Sequence, residues 1–513
     1  MYAFCYLAPF LLATNVVDEG LIYALLRCKN LGGENTEDYL EFAIELARTQ
    51  GATYAEARYQ SDYYEQNLLK NGIAEICSFD TRKGIAVRVV MNGGLGFGAT
   101  NLLTKRDIRA LVKKVVSSAK ETGRTRRTPI IMGPADLEQG KIEIKPRVNF
   151  DGVSLEGRMS LLQEADKSAL DAAATAGIKL PGRYISLATT VTEKIVISSD
   201  GAKVYGKVPR ISIDAFLTAF DPGKGPIQRM LSLGESSGWE GAERWDLPKL
   251  LAEEVASLAN VLLKADAMKD ETSDVILGPE VVGIVSHESS GHPGEADRVL
   301  GREAAQAGET YLGRDAVGRK IGSEVVNVVE DPTIPHSYGF YAFDEEGVKA
   351  RKRYLIKEGR IAEFLHNRET ASVFGVSSNA SARASSFNRE PIVRMSNTFV
   401  EPGDLSFEEL IEGVRFGVYI KNFMEWNIDD RRYNQRYVGL EAYRIEDGQL
   451  RGRLRNPKLE ITTPGLWSAV DAIGKDLRFN AAECGKGDPM QGIPVWTGGP
   501  HMRLRNIRLG GSV

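Results

Sequence analysis

The chain is 513 residues long and 26% charged, with a formal net charge of −4 at pH 7. That balance holds no basic excess to demand a nucleic-acid partner, and the length exceeds one comfortable hydrophobic core, so two domains are expected. The four cysteines (Cys5, Cys28, Cys77, Cys484) show no paired spacing, which argues against a disulfide framework and fits a reducing, cytoplasmic compartment; no apolar run reaches the ~18 residues of a membrane span.

Met1 to Val17 is apolar but lacks a positive n-region and a small-x-small cleavage site, so residues 1–33 read as an extension peculiar to this chain or a start-site artefact rather than a signal peptide. Glu37 to Gln50 has helical periodicity, with Asn35 or Thr36 as cap and Gly51 as stop. Strands follow, with Asn71-Gly72 and Asn92-Gly93-Gly94 as hairpin turns. Thr104 to Glu121 and Ser154 to Ala176 read as helices ending near Gly123 and Gly177. Alternating β-branched residues from Tyr184 to Phe220, broken at Asp200-Gly201, predict antiparallel strands. Asp246 is expected to cap a helix running to about Ala265. The polar stretch Lys269 to Ser273 marks the expected boundary between an N-terminal domain, 34–268, and a C-terminal one, 269–513.

The second domain opens on a strand at Asp274 to Leu277, and Gly278-Pro279 then starts a helix, proline being tolerated in a first turn. Beyond Val325 short strands alternate with turns such as Glu358-Gly359 and Asp447-Gly448. The class is α+β: helices plus an antiparallel sheet first, then a β-rich domain that carries the helix after Pro279. No internal repeat appears.

That helix runs into Ser286-His287-Glu288-Ser289-Ser290-Gly291-His292, the most informative run in the chain. Two of the five histidines bracket a glutamate there. Neutral imidazoles hold zinc, and an adjacent Glu can serve the metal-activated water as general base. In a zinc helix of the H-E-x-x-H type the histidines lie four apart on one face, whereas five residues of regular helix turn the second ring about 140° from the first. A π-type bulge or a break at Ser290-Gly291, just before Pro293, would swing His292 back. The plainer alternative is a pair of capping or core histidines.

These residues resemble the TldD/PmbA family of metalloproteases, historically labelled modulators of DNA gyrase. The resemblance runs from His287-Glu288 through His292, Glu295 and Asp297, then Val329 to Pro335, Phe343 to Gly347 and Pro391 to Thr398, and closes with Cys484-Gly485-Lys486-Gly487 and the tail after Gln491. It implies zinc held by His287, His292 and Cys484, with Glu288 as general base. It implies hydrolysis of small or unfolded polypeptides inside a closed dimer, either a homodimer or a heterodimer with a paralogue of the family. A non-catalytic assembly partner is the alternative role, as is a topoisomerase-associated regulator. Glycines 485 and 487 would let the backbone approach a metal. A nucleophilic Cys484 paired with His501 is the rival chemistry.

Other features admit two readings each. Glu295 and Asp297 are either supports that orient a ligand imidazole or a solvated turn. His336 and His366 are alternative ligands, or satisfied polar residues. Asp331 with Asp344-Glu345-Glu346 is a second, oxygen-rich metal site or, more simply, an acidic surface loop. Arg451, Arg453 and Arg455, and Arg503, Arg505 and Arg508, suggest a nucleic-acid patch, but period-two spacing points to a solvated sheet face. The stretch Met424 to Arg432 departs from the better-known pattern of the family it resembles, many of whose members carry glycines and an Asp there. That change is expected to alter the substrate groove through Trp426 and the arginines, and to leave the metal chemistry untouched.

Overall fold

A computed structural model describes residues 36–303 and 308–511; the expectations for residues 1–33 and for Asn35 lie outside the described residues. Helix α1 (Thr36–Thr49) precedes a hairpin of two long strands, β1 (Tyr54–Lys70) and β2 (Ile73–Met91), and β3 (Gly94–Thr100) follows. Both Asn-Gly pairs form the turns expected: Asn71, Gly72, Asn92 and Gly93 have φ of 52, 80, 52 and 73°, the doubly left-handed backbone that matches strand twist.

Helix α2 (Lys105–Thr125) is capped by Thr104, whose side chain accepts from the Asp107 N–H. It ends at Thr125, just past Gly123 and close to the end expected. That glycine sits inside the helix because a Cβ there would meet Asn92 O at 2.7 Å, and a Cβ on Gly94 or Gly96 would strike the helix backbone. The Gly94-Leu95-Gly96 alternation therefore seats β3 directly on α2. Helix α3 (Leu155–Ala176) ends as expected on Gly177, left-handed at φ 72°. Strands β4 (Lys179–Ser198), β5 (Lys203–Asp221) and β6 (Gly225–Glu235) continue the sheet. Asp246 precedes α4 (Leu247–Lys264) with φ 44° and no side-chain cap bond, so its role there is conformational.

The sheet order is β3-β2-β1-β4-β5, with the far edge of β5 shared between β6 and the strand Gln139–Glu143. Odd-numbered residues such as Ala55, Ala57, Ile185, Leu187, Ile195 and Ile197 point to the face that the four helices cover. Even-numbered Glu56, Arg58, Arg88 and Lys194 point to the other face, which meets the C-terminal half.

Strand β7 (Glu271–Leu277) begins within the polar stretch read as a break, because Glu271, Thr272 and Ser273 pair with Leu509, Arg508 and Ile507. It lies in a ten-stranded sheet beside Phe416–Ile420 and Met502–Gly510. A six-stranded sheet includes Asn397–Val400, Arg478–Lys486 and Gln491–Gly499. Helix α5 (Pro279–Ser286) packs on those last three strands, and Gly283 allows it to rest on the Thr497–Gly498 backbone, which a Cβ would meet at 3.0 Å. One hydrophobic core joins α5 to both sheets. Mixed helices and strands in two packed halves make this an α+β architecture.

Candidate metal centre

Helix α5 gives way at His287 to a π turn, His287–Gly291, followed by a 3-10 turn, His292–Gly294. The His292 N–H donates to the His287 carbonyl five residues back, so the extra residue is absorbed and both imidazoles fall on one side. Gly291 leaves room in this turn for Met395, whose Sδ a Cβ at 291 would strike unless that side chain moved. The break expected from the sequence is thus a π turn at the expected residues.

The two rings stand edge to face with centroids 4.9 Å apart. Cys484 reaches them from Arg478–Lys486, its Sγ 3.5 Å from His292 Nε2. One ligand atom from each of His287, His292 and Cys484 lies within 4.8 Å of the others, and among the described residues no other such group is found. All three are buried. Burial holds both imidazoles below their ordinary pKa, against the opposing pull of Glu288 and Glu295 on His287 and of Cys484 and Glu295 on His292. Neutral rings are the ligand form. Burial alone would raise the Cys484 thiol, but His292 and Arg394 outweigh it and hold the group low, toward thiolate.

His292 Nδ1 lies 3.0 Å from Glu295 Oε2, which also accepts from Arg298 Nε at 2.7 Å. Burial works against ionising Glu295, yet Lys486, His292 and Arg298 hold its carboxyl well below the usual range. Asp297 does not touch the histidines; it takes two bonds from Lys486 Nζ, at 2.7 and 2.8 Å. Arg394 donates to the Cys484 and Gln491 carbonyls and so fixes the hairpin that carries the sulfur. Glu288, also buried, accepts from Arg432 Nη1 at 2.5 Å. Ser289 Oγ donates to Gln435 Oε1 at 2.7 Å, tying the same turn to the strand Asn434–Gly439.

Several expectations need correction. Asp344, Glu345 and Glu346 are not a surface loop: all three are buried. Asp344 accepts from the Glu346, Val348 and Ala382 N–H groups, Glu345 pairs with Arg58 and Lys194, and Glu346 pairs with Arg88. Glu345 and Glu346 thus clamp the two halves together, while Asp344 braces its own turn and Asp331 caps Thr333. His501 stands between Asp476 (2.7 Å) and Tyr419 (2.9 Å) and has no bond to Cys484. His366 is buried against Phe364 and Phe374, and His336 is exposed with φ 63°. Arg503 and Arg505 are not solvated freely, since both bind Asp471. Arg432 was the residue least legible in advance. The stretch 424–432 was expected to bear on the substrate groove and to leave the metal chemistry untouched, yet Arg432 brings it to Glu288.

Family models for the PmbA/TldA metallopeptidase match three stretches: domain 1 at residues 55–119, the central domain at 149–263 and the C-terminal domain at 270–511. A metalloprotease of Methanocaldococcus jannaschii is 31% identical over 452 residues, spanning 88% of this chain and 95% of that protein. A protein of Saccharolobus solfataricus named zinc metalloprotease TldD homolog is 26% identical, spanning 92% of this chain and 99% of its own length. Among solved structures, one from Thermotoga maritima described as a modulator of a DNA gyrase superposes with a TM-score of 0.72 at 16% identity, covering 93% of this chain and all of its own. TldE from Thermococcus kodakarensis gives 0.69 at 16% identity, covering 93% of this chain and 99% of its own. The chain belongs to the TldD/PmbA family of metallopeptidases.

Proposed function

We propose that the protein is a zinc-dependent peptidase hydrolysing small or unfolded polypeptides, with His287, His292 and Cys484 as ligands and Glu288 as general base. The observation that carries this reading is the convergence of two imidazoles and one sulfur within 4.8 Å. Two nitrogens and a thiolate form a borderline-soft donor set suited to zinc, and three protein ligands leave a fourth position open. The residues fit the ion in another respect: among the described residues His287 Nδ1 is buried without a hydrogen-bond partner, a cost that a ligand on the ring would explain. The relative named as a zinc metalloprotease supports the choice of metal.

Bound there, zinc would supply Lewis-acid polarisation of a peptide carbonyl and acidify water. Glu288 then takes a proton from the attacking water and passes it to the leaving amine. Glu295 holds His292 in the tautomer that keeps Nε2 on the side of Cys484. A closed dimer, with itself or with a paralogue, would admit unfolded chains and exclude folded ones, and an extended peptide would add to a strand edge of the C-terminal half. No nucleic acid enters this account. Among the described residues no helix is long and apolar enough to cross a membrane, and we place the protein in the cytoplasm.

The test is hydrolysis of a denatured, unstructured polypeptide by zinc-loaded protein. A chelator should abolish it and zinc should restore it; Glu288→Gln should keep its zinc and fall to a small residual turnover. Hydrolysis indifferent to chelation, or undiminished in Glu288→Gln, overturns the reading.

A further inference from the structure

The hairpin of Phe423–Ile428 and Asn434–Gly439 ends in a turn built to present one side chain. The Asp429 carboxylate accepts from the Tyr433 N–H (2.8 Å), the Asn434 N–H (3.0 Å) and Asn434 Nδ2 (2.7 Å). The Arg432 N–H donates to Asp429 O at 2.9 Å, and Thr463 Oγ1 donates to Arg432 O at 2.8 Å. Arg432 itself is left-handed at φ 61°, a strained backbone for a residue that carries a Cβ. From there its guanidinium reaches Glu288, Nη1 to Oε2 at 2.5 Å, with both side chains buried.

Other buried arginines of this protein are tied to several segments at once. Arg353 donates to Glu330, Ser381 and the Asn379 and Ala380 carbonyls, and Arg58 donates to Glu345 and three carbonyls. Arg432 differs: among the described residues its guanidinium donates only to Glu288, and its buried Nε has no acceptor. A desolvated cation spent on one carboxylate is a poor structural tie, because burying both charges costs much of what the contact returns. Glu288 Oε1, meanwhile, makes no hydrogen bond among the described residues.

We propose that Arg432 is a positioning residue for hydrolysis. It holds Glu288 through Oε2, in one rotamer, and leaves Oε1 as the oxygen that receives the proton beside His287, His292 and Cys484. This rests on the peptidase reading above and adds to it a device that the hairpin supplies.

The experiment measures Arg432→Met and Arg432→Lys in native and Glu288→Gln backgrounds, following turnover of an unfolded polypeptide, zinc content and the visible spectrum of cobalt(II)-loaded protein. Misplacing the base should lower kcat about 10²-fold in Arg432→Met, with KM within about threefold and zinc retained. Arg432→Lys keeps the charge but not the planar fork, so it should fall between. In the Glu288→Gln background the same substitutions should cost nothing further, since groups acting as a unit are not additive. The cobalt spectrum of Arg432→Met should shift in the direction Glu288→Gln shifts it. Unchanged kcat with zinc retained, or an equal loss in both backgrounds, overturns the proposal. Should Arg432→Met fail to fold, Arg432→Lys and its spectrum decide. Should the native protein not hydrolyse at all, the peptidase reading falls separately, and a cobalt spectrum altered by Glu288→Gln but not by either Arg432 substitution overturns this proposal as well.

Discussion

His292 and Glu295 are locked together: Nδ1 of the ring lies 3.0 Å from Oε2 of the carboxylate, so the ring's other nitrogen faces Cys484. The contact is possible because the 3-10 turn after the π turn sets Glu295 three residues on, at the start of a short helix. Arg298 and Lys486 neutralise the buried acid at that same oxygen, Oε2.

Glu295→Gln removes the charge that orients His292 and takes from buried Arg298 and Lys486 the carboxylate they share, Lys486 keeping Asp297. Metal affinity should fall about 10- to 100-fold, read by competition with a chelator. Unfolding should cost about 3 kcal/mol less, read from denaturant titration. Native affinity in the variant would contradict the orienting role.

Gly291→Ala drives a methyl group into Met395 Sδ. Overpacking of this kind costs about 1–3 kcal/mol, and relief by displacing the π turn would carry His292 away from Cys484. Lower thermal stability and lower zinc occupancy are expected together. Shortening the partner, in Gly291→Ala with Met395→Ala, should recover zinc occupancy even though a cavity remains.

Glu345→Gln tests the joint between the two halves. Arg58 and Lys194 both pair with this carboxylate, and Arg58 and Glu345 are buried. Removing one partner of a buried ion pair costs about 3–5 kcal/mol, so the unfolding midpoint should drop clearly. A change below 1 kcal/mol, as for an exposed pair, would show that the cluster is solvated.

Stability should also fall in mild acid through His366. Burial lowers its pKa to about 4, against the pull of Glu363. The folded ring resists protonation while the unfolded one titrates near pH 6.5. Its contribution is therefore complete above that value and is lost as pH falls from about 6.5 toward 4. Between pH 7 and 5 the loss should be on the order of 2 kcal/mol. His366→Phe keeps a ring between Phe364 and Phe374 and should flatten that part of the profile; an unchanged slope would contradict the assignment.

Local features were the most legible in the sequence. Asn-Gly turns, the Gly177 stop and the bend before His292 are each set by one or two residues whose backbone preferences leave few alternatives. Cys484 was reached through family resemblance, because nothing local distinguishes a ligand sulfur from an inert one. What escaped depends on partners far along the chain. Asp344-Glu345-Glu346 looks like a surface loop until Arg58, Arg88 and Lys194 arrive from the other half. Arg432 lies in a polar hairpin, and only the fold brings it to Glu288.

X-ray absorption at the zinc edge of metal-loaded protein tests the central claim most directly. The account predicts one sulfur at about 2.3 Å and nitrogen or oxygen neighbours near 2.0–2.1 Å, with the sulfur shell lost in Cys484→Ser. A spectrum without sulfur, or one whose sulfur survives that substitution, would contradict it.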